Sequence, residues 1–178
     1  MIHEMRNTII SPWTSEWAKQ YQKEECILKE IFQNELIEIH HIGSTSIPTI
    51  GYAKPIIDIM IVVKDIELID GYNDEMKNLD YMPRGENGIK GRRYFTKGNK
   101  QRTHHVHIYQ VGNVNSKIHL DFKEYLMHHT EEAEQYGELK RKLANQFPND
   151  HYKYQSGKES FVNVLVEKVM IWGSSTKK

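Results

Sequence analysis

The stretch "HHIGSTSIPTIGYAKPIIDIMIVV", residues 40–63, decides the fold. Its opening residues close a β-branched run that begins near Glu35 and stops at Gly43, the pattern of a strand. Its last residues, Ile56 to Val63, are apolar almost without interruption, which predicts a central strand covered on both faces. Asp58 interrupts that run. An ionised carboxylate in such a strand costs several kcal/mol unless a cation, a metal or hydrogen-bond donors face it, so something is expected opposite Asp58. Lys54 is the nearest candidate, either as a structural ion pair or as a charge that serves a site. Between the two strands, Gly43, Ser44 and Thr45 can offer backbone N–H groups and hydroxyls to phosphate oxygens.

Outward from this core, the predicted elements alternate. Before it, Pro12 and Thr14 or Ser15 signal the start of a helix, and Trp17, Tyr21, Leu28, Ile31 and Phe32 recur at helical spacing to about Asn34. After it, residues 66–79 read as an amphipathic helix weakened by Gly71. "RGENGIKGRRYF" is a turn between strands with Arg92 to Thr96 as the return strand, and "THHVHIYQV" alternates as a further strand. Side chains alternate along a strand, so His105 and His107 share one face and His104 and Val106 the other. Beyond Gly112 the pattern becomes helical: one helix around Ile118 to Leu126, a second capped by Thr130 and reaching about Phe147, and a third marked by Phe161, Leu165, Val169 and Trp172. The expectation is a single α+β domain over residues 1–178, a small mixed sheet packed by helices over about 1–112 and a helical part over about 113–174.

Composition narrows the function. The 24 basic and 24 acidic residues cancel, so no global field points to nucleic acid, and any anion site is local. A hydrophobic fraction of 38% with 27% charged residues is that of a globular chain, and no apolar run is long enough for a membrane helix. The opening "MIHEMRNTII" lacks the basic head and apolar segment of a secretion signal, and Cys26 is the single cysteine, so a cytoplasmic protein without an internal disulfide is expected.

No Walker sequence and no G-x-G-x-x-G is present. A strand carboxylate downstream of a Gly-Ser turn does fit nucleotidyltransferases, where the turn holds phosphates and paired strand acids hold Mg²⁺. Here the position of the second acid, two residues after Asp58, is Met60. His105 and His107 are candidate replacement ligands if their strand lies beside that of Asp58, and a set of two histidines and one carboxylate favours Zn²⁺, Mn²⁺ or Fe²⁺ over Mg²⁺. Arg92 and Arg93 suit phosphate, but adjacent strand positions send only one of them to the site. Glu86 and Glu124 are candidates for a restored second acid.

These residues resemble the GrpB family. "HHIGSTSIPTIGYAKPIIDIMIVV" is similar to its signature H-[IV]-G-S-T-[AS]-[IV]-P-x-[LI]-x-[AG]-K-P-I-I-D-I, "GRRYFTKG" and "RTHHVHIYQ" to its later motifs, and "IHLDFKEYLMHHTEEAEQYGELKRKLA" to its helical segment. The resemblance implies a nucleotidyltransferase-like fold and carries over His41, Gly43, Ser44, Thr45, Pro48, Lys54, Pro55, Asp58, Gly91, Arg92, Arg93, His104, His105 and His107. Two main functions follow as expectations, beside a metal-dependent hydrolase that uses the histidines. One is a nucleotidyl or phosphoryl transferase: Gly43, Ser44, Thr45, Arg92 and Arg93 hold phosphates, Asp58, His105 and His107 hold a divalent metal (Mg, Mn or Zn), and Lys54 acts with Asp58 in catalysis. The other is a non-catalytic module that binds a nucleotide, a coenzyme A-like ligand or a partner protein, with no nucleic acid and no membrane involved.

Overall fold

Six β-branched or apolar residues around one acid make Ile57–Val63 (β4) the centre of the sheet in the computed structural model, which describes residues 7–176. The segment read above for a secretion signal lies partly outside the described residues. Leu36–Ile42 (β2) runs antiparallel to β4 on one side, and His104–Gln110 (β7) runs parallel to it on the other. Arg92–Lys97 (β6) and Tyr81–Pro83 (β5) continue outward as an antiparallel hairpin, giving the order β2-β4-β7-β6-β5. This is a mixed α+β fold with a helical C-terminal part.

Alternation along β4 sorts the two faces. Ile57, Ile59, Ile61 and Val63 point to the main core with Val106, Ile108 and Phe95, covered by the helix Glu16–Phe32 (α1) through Trp17, Leu28 and Phe32. Asp58, Met60 and Val62 point the other way, where Met60 and Val62 join Ile42, Tyr109 and Leu120 in a second cluster. The helix Val114–His128 (α3) brings Leu120 to that face. Burying side chains on both faces is what makes a central strand nearly continuously apolar.

Three local readings change. Pro12 stands in a two-residue strand, Ser11–Pro12 (β1), paired with Tyr52–Ala53 (β3), and α1 begins only at Glu16, whose N–H donates to Thr14 Oγ1. Residues 66–79 are a 3₁₀ stretch, Ile66–Tyr72, then a short helix, Asn73–Asn78 (α2). Ile66, Ile69 and Tyr72 are three residues apart, the spacing that eclipses side chains in a 3₁₀ turn, and Gly71 weakens an α-helix there. Thr130 is the first residue of the helix Thr130–Gln146 (α4), not its cap. His129 alone bridges α3 and α4, its N–H bonded to Tyr125 O and its carbonyl accepting from Ala133 N, so no residue is left for a separate capping turn. Asp150 Oδ1 accepts from Lys153 N at the start of the last helix, His151–Thr176 (α5). Among the described residues no helix is long and apolar enough to cross a membrane.

Gly137 sets how closely α4 approaches the sheet. An added Cβ there would overlap the Ile50 carbonyl, so only glycine lets α4 lie against the turn Pro48–Ile50. That contact carries two α4 side chains, Tyr136 and Lys140, one helical turn apart, to the Gly43–Ser44 loop.

Candidate functional site

The parallel register of β4 and β7 pairs Asp58 with His105 and Met60 with His107. All four side chains therefore emerge on one face, and Tyr94 and Thr96 of β6 join them opposite His107 and His105. Asp58 Oδ1 lies 3.4 Å from His105 Nδ1 and 3.3 Å from His107 Nε2. Burial works to raise the Asp58 carboxyl, but the hydrogen bonds and charge of the two histidines prevail and hold it well below the usual carboxylate range. Two imidazoles thus face the strand acid. Lys54, the cation expected there, stands with its Nζ 4.7 Å over the Tyr154 ring.

Asp58, His105 and His107 converge, yet their arrangement does not fit a resident metal. Arg92 Nη1 lies 3.4 Å from His107 Nδ1, and a guanidinium only donates, so Nδ1 accepts and the ring proton sits on Nε2 facing Asp58. Ligation through Nε2 would move that proton to Nδ1, against the guanidinium. Among the described residues no group of three or more His, Cys, Asp or Glu side chains is arranged to hold a metal ion. Met60 is fully buried, and neither proposed substitute acid faces Asp58: Glu86 accepts from Gly91 N in its own loop, and Glu124 is exposed on α3.

The Gly-Ser-Thr turn divides its labour. Gly43 has φ 72° and ψ −178°, and a Cβ there would stand 2.6 Å from Asp58 Oδ2, so the turn presses its backbone on the strand acid. Ser44 Oγ instead accepts from Lys140 Nζ at 2.8 Å. Thr45, 1% exposed, spends its hydroxyl internally, 3.0 Å from His41 Nε2 and donating to Ile56 O. His41 in turn stacks on Tyr21, and burial, then the charge of Lys123, pushes its imidazole down to about 4.

Of the arginine pair, Arg92 reaches this face. Its Nε and Nη2 donate to the carbonyls of Glu86 and Asn87, fastening the hairpin turn, and its guanidinium lies 4.5 Å from the Tyr94 ring centre. Arg93 points to the opposite face, where Nε donates to Asp70 at 2.8 Å and Nη2 lies 3.4 Å from Glu67, as alternation requires. His104 likewise faces away, toward the buried Glu24.

His105 also lines a cleft of about 910 Å³, whose walls carry Lys54, Arg84, Lys100 and Arg102 and, among the described residues, no carboxylate. Arg84 and Arg102 both donate to Thr96 Oγ1, which fixes two guanidinium groups side by side. Beyond Lys54 lies a second basic cluster. Lys140 is 3% exposed, and burial, then the charges of Lys158 and Lys54, push its amine down to about 7 against the pull of Asp58. Lys158 Nζ lies 5.2 Å from the Tyr154 ring centre, on the same ring as Lys54.

Sequence reasoning passed over Lys140, Lys158, Arg84 and Arg102. Lys140 had a signal, the one-turn spacing from Tyr136 on a helix face. The loop arginines had none, because only the pairing of β6 with β5 on one side and the β6–β7 connection on the other bring Arg84 and Arg102 to Thr96.

The chain matches the family model described as "GrpB protein" over residues 7–168. It is 43% identical over 171 residues to UPF0157 protein YqkA of Bacillus subtilis (strain 168), covering 96% of this chain but 50% of that protein, so it spans about half the length of that relative. It is 29% identical to glutamate-rich protein GrpB of Alkalihalophilus pseudofirmus, over 90% of this chain and 95% of the relative. Among solved structures it resembles the conserved protein GrpB from Enterococcus faecalis, with a TM-score of 0.85 and 38% identity over 90% of this chain and 96% of that one. With family motifs, sequence relatives and fold in agreement, this chain belongs to the GrpB family.

Proposed function

We propose that this protein binds a phosphorylated small molecule of the nucleotide class in the cleft beside Asp58 and His105. The observation that carries this reading is the charge of the cleft: among the described residues four cationic side chains line it and no carboxylate does. Arginine forks suit phosphate oxygens, and Lys54 and Lys100 add point charges. The volume of about 910 Å³ falls in the range of small-molecule and cofactor pockets, roughly 300–1,000 Å³. Asn87, Gln101 and Gln155 on the same walls supply neutral hydrogen-bonding groups for the rest of the ligand. The nucleotidyltransferase-like fold implied by the family motifs supports the ligand class, as an argument from analogy.

Met60 favours binding without two-metal transfer, because the position of the second acid is occupied by a fully buried apolar side chain. The test is thermal unfolding of the intact protein with ATP, inorganic triphosphate or a coenzyme A-type ligand, each with EDTA and with Mn²⁺. A ligand that binds only the folded state at about 100 times its Kd adds about 2.7 kcal/mol. The expected result is a raised Tm in EDTA that is lost in Arg84→Ala/Arg102→Ala. No shift with any phosphorylated compound would reject the reading, and a shift seen only with Mn²⁺ would replace it with a metal-dependent one.

A further inference from the structure

Ser44, Tyr136 and Lys140 form a constellation that phosphate binding does not require. Ser44 is half-buried at the exit of β2, on the turn Ser44–Ser46. Lys140 Nζ stands 2.8 Å from its hydroxyl, and the Tyr136 ring centre lies 4.5 Å from the same Lys140 nitrogen. Gly137 holds α4 against the turn that follows, so the three groups are fixed by backbone packing rather than by flexible side chains alone. Next to them, the fully buried Tyr154 has a hydroxyl without a hydrogen-bond partner among the described residues, and Lys54 and Lys158 lie over its ring. Charged and titratable groups therefore face Lys140 from every neighbouring element: Tyr136 on α4, Lys158 on α5, Lys54 before β4 and Asp58 on β4.

We propose that Ser44 is a nucleophile and Lys140 its general base, so that the protein takes a phosphoryl group from its ligand as an ester on Ser44. This rests on the reading that the adjoining cleft, which shares Lys54, receives a phosphorylated compound. The neutral Lys140 amine accepts the Ser44 proton as Oγ forms its bond to phosphorus. The bond from phosphorus to the leaving oxygen breaks with its electron pair, and the Lys140 ammonium returns the proton to that oxygen. Water or an acceptor hydroxyl then displaces Ser44 by the reverse sequence. Lys54 and Lys158 offset the charge that develops on the phosphoryl oxygens. A buried lysine among other cations is the environment in which an amine becomes a base near neutral pH, and the push on Lys140 to about 7 accords with that role. Tyr136, pushed up to about 12 chiefly by burial, stays protonated and packs its ring against Lys140.

The experiment treats the whole protein with a fluorophosphonate reagent, whose phosphorus is attacked by an activated serine with loss of fluoride, and reads the adduct by peptide mass spectrometry. The expected adduct is on Ser44, absent in Ser44→Ala, forming at a rate that rises with pH through about 7. Lys140→Met and Lys140→Arg, the second keeping the charge without an accessible neutral form, should slow labelling on the order of 100-fold and abolish that inflection. No adduct on Ser44 in folded protein, or an unchanged rate and pH profile in both Lys140 variants, would overturn the proposal. Labelling of Ser44 without any Tm shift from phosphorylated ligands would sink the ligand reading and keep the nucleophile, whereas the shift without labelling would do the reverse.

Discussion

Gly43→Ala should damage the protein by two separable routes. The backbone at φ 72° and ψ −178° lies in a region open essentially to glycine alone, which costs a side-chain-bearing residue about 1–3 kcal/mol. The new methyl would also stand 2.6 Å from Asp58 Oδ2, 3.0 Å from its Cβ and 3.1 Å from its Cγ, all inside van der Waals contact. To escape, the carboxylate must leave its position between His105 and His107, and overpacking of this kind adds about 1–3 kcal/mol. The expected total is roughly 2–6 kcal/mol. Gly51→Ala is the control, since Gly51 also has positive φ, 82°, but nothing lies within 4 Å of an added Cβ. It should lose only about 1–2 kcal/mol. Urea unfolding near neutral pH, with the slope unchanged, measures both. In an Asp58→Ala background the Gly43→Ala cost should shrink toward the control, because the contacts with Oδ2 and Cγ are removed and only the one with Cβ at 3.0 Å is left. Equal costs for Gly43→Ala and Gly51→Ala, or no coupling to Asp58, would refute the claim that this turn is packed against the strand acid.

Acid should destabilise the protein before ordinary carboxylates titrate. His41 and His119 both have imidazoles pushed from 6.5 to about 4, first by burial and then by neighbouring positive charge, so the unfolded chain takes up protons that the folded one refuses. Their contribution is complete above about pH 6.5 and is lost as pH falls toward 4, by at most about 3 kcal/mol for each histidine. A urea midpoint that stays level across this interval would contradict the assignment. Glu24→Ala should cost about 3–5 kcal/mol, because the 5%-exposed Glu24 accepts from Tyr81 and Lys97, both at 2.7 Å, and its removal leaves an ammonium and a phenol without their partner. Glu24→Gln, which keeps the Tyr81 bond, should lose less, and a null result for both by chemical denaturation would show the pair to be neutral. Gly137→Ala should destabilise α4 by about 1–3 kcal/mol despite the better helix propensity of alanine, since the methyl meets the Ile50 carbonyl. A more stable variant would show that α4 can shift away from the turn.

Much of this protein was legible locally. The run around Asp58 announced a central strand, the alternation of "THHVHIYQV" placed His105 and His107 on one face, and adjacency on a strand required Arg92 and Arg93 to part. Those inferences hold because strand periodicity is a property of neighbouring residues and needs no partner. The 3₁₀ stretch at Ile66–Tyr72 was less legible, since spacings of three and of three-to-four differ little over one turn. The site was legible only in part. That β7 lies parallel to β4, so that its histidines meet Asp58, depends on pairing between segments far apart in the chain. Local pattern likewise says nothing of Arg92 taking up one nitrogen of His107, or of Lys54 standing over Tyr154.

The sequence by itself determined the order of strands and helices, the face on which each strand residue stands, and the absence of a second acid at Met60. Only the tertiary structure decided what Asp58 faces and which cations surround Ser44. Lys140 and Lys158 lie on helices almost a hundred residues or more from that serine, and it is the close approach of α4, permitted by Gly137, that buries Lys140 against it. Burial and the neighbouring charges then alter the lysine's chemistry, and those are properties of packing that a residue's neighbours in sequence do not contain.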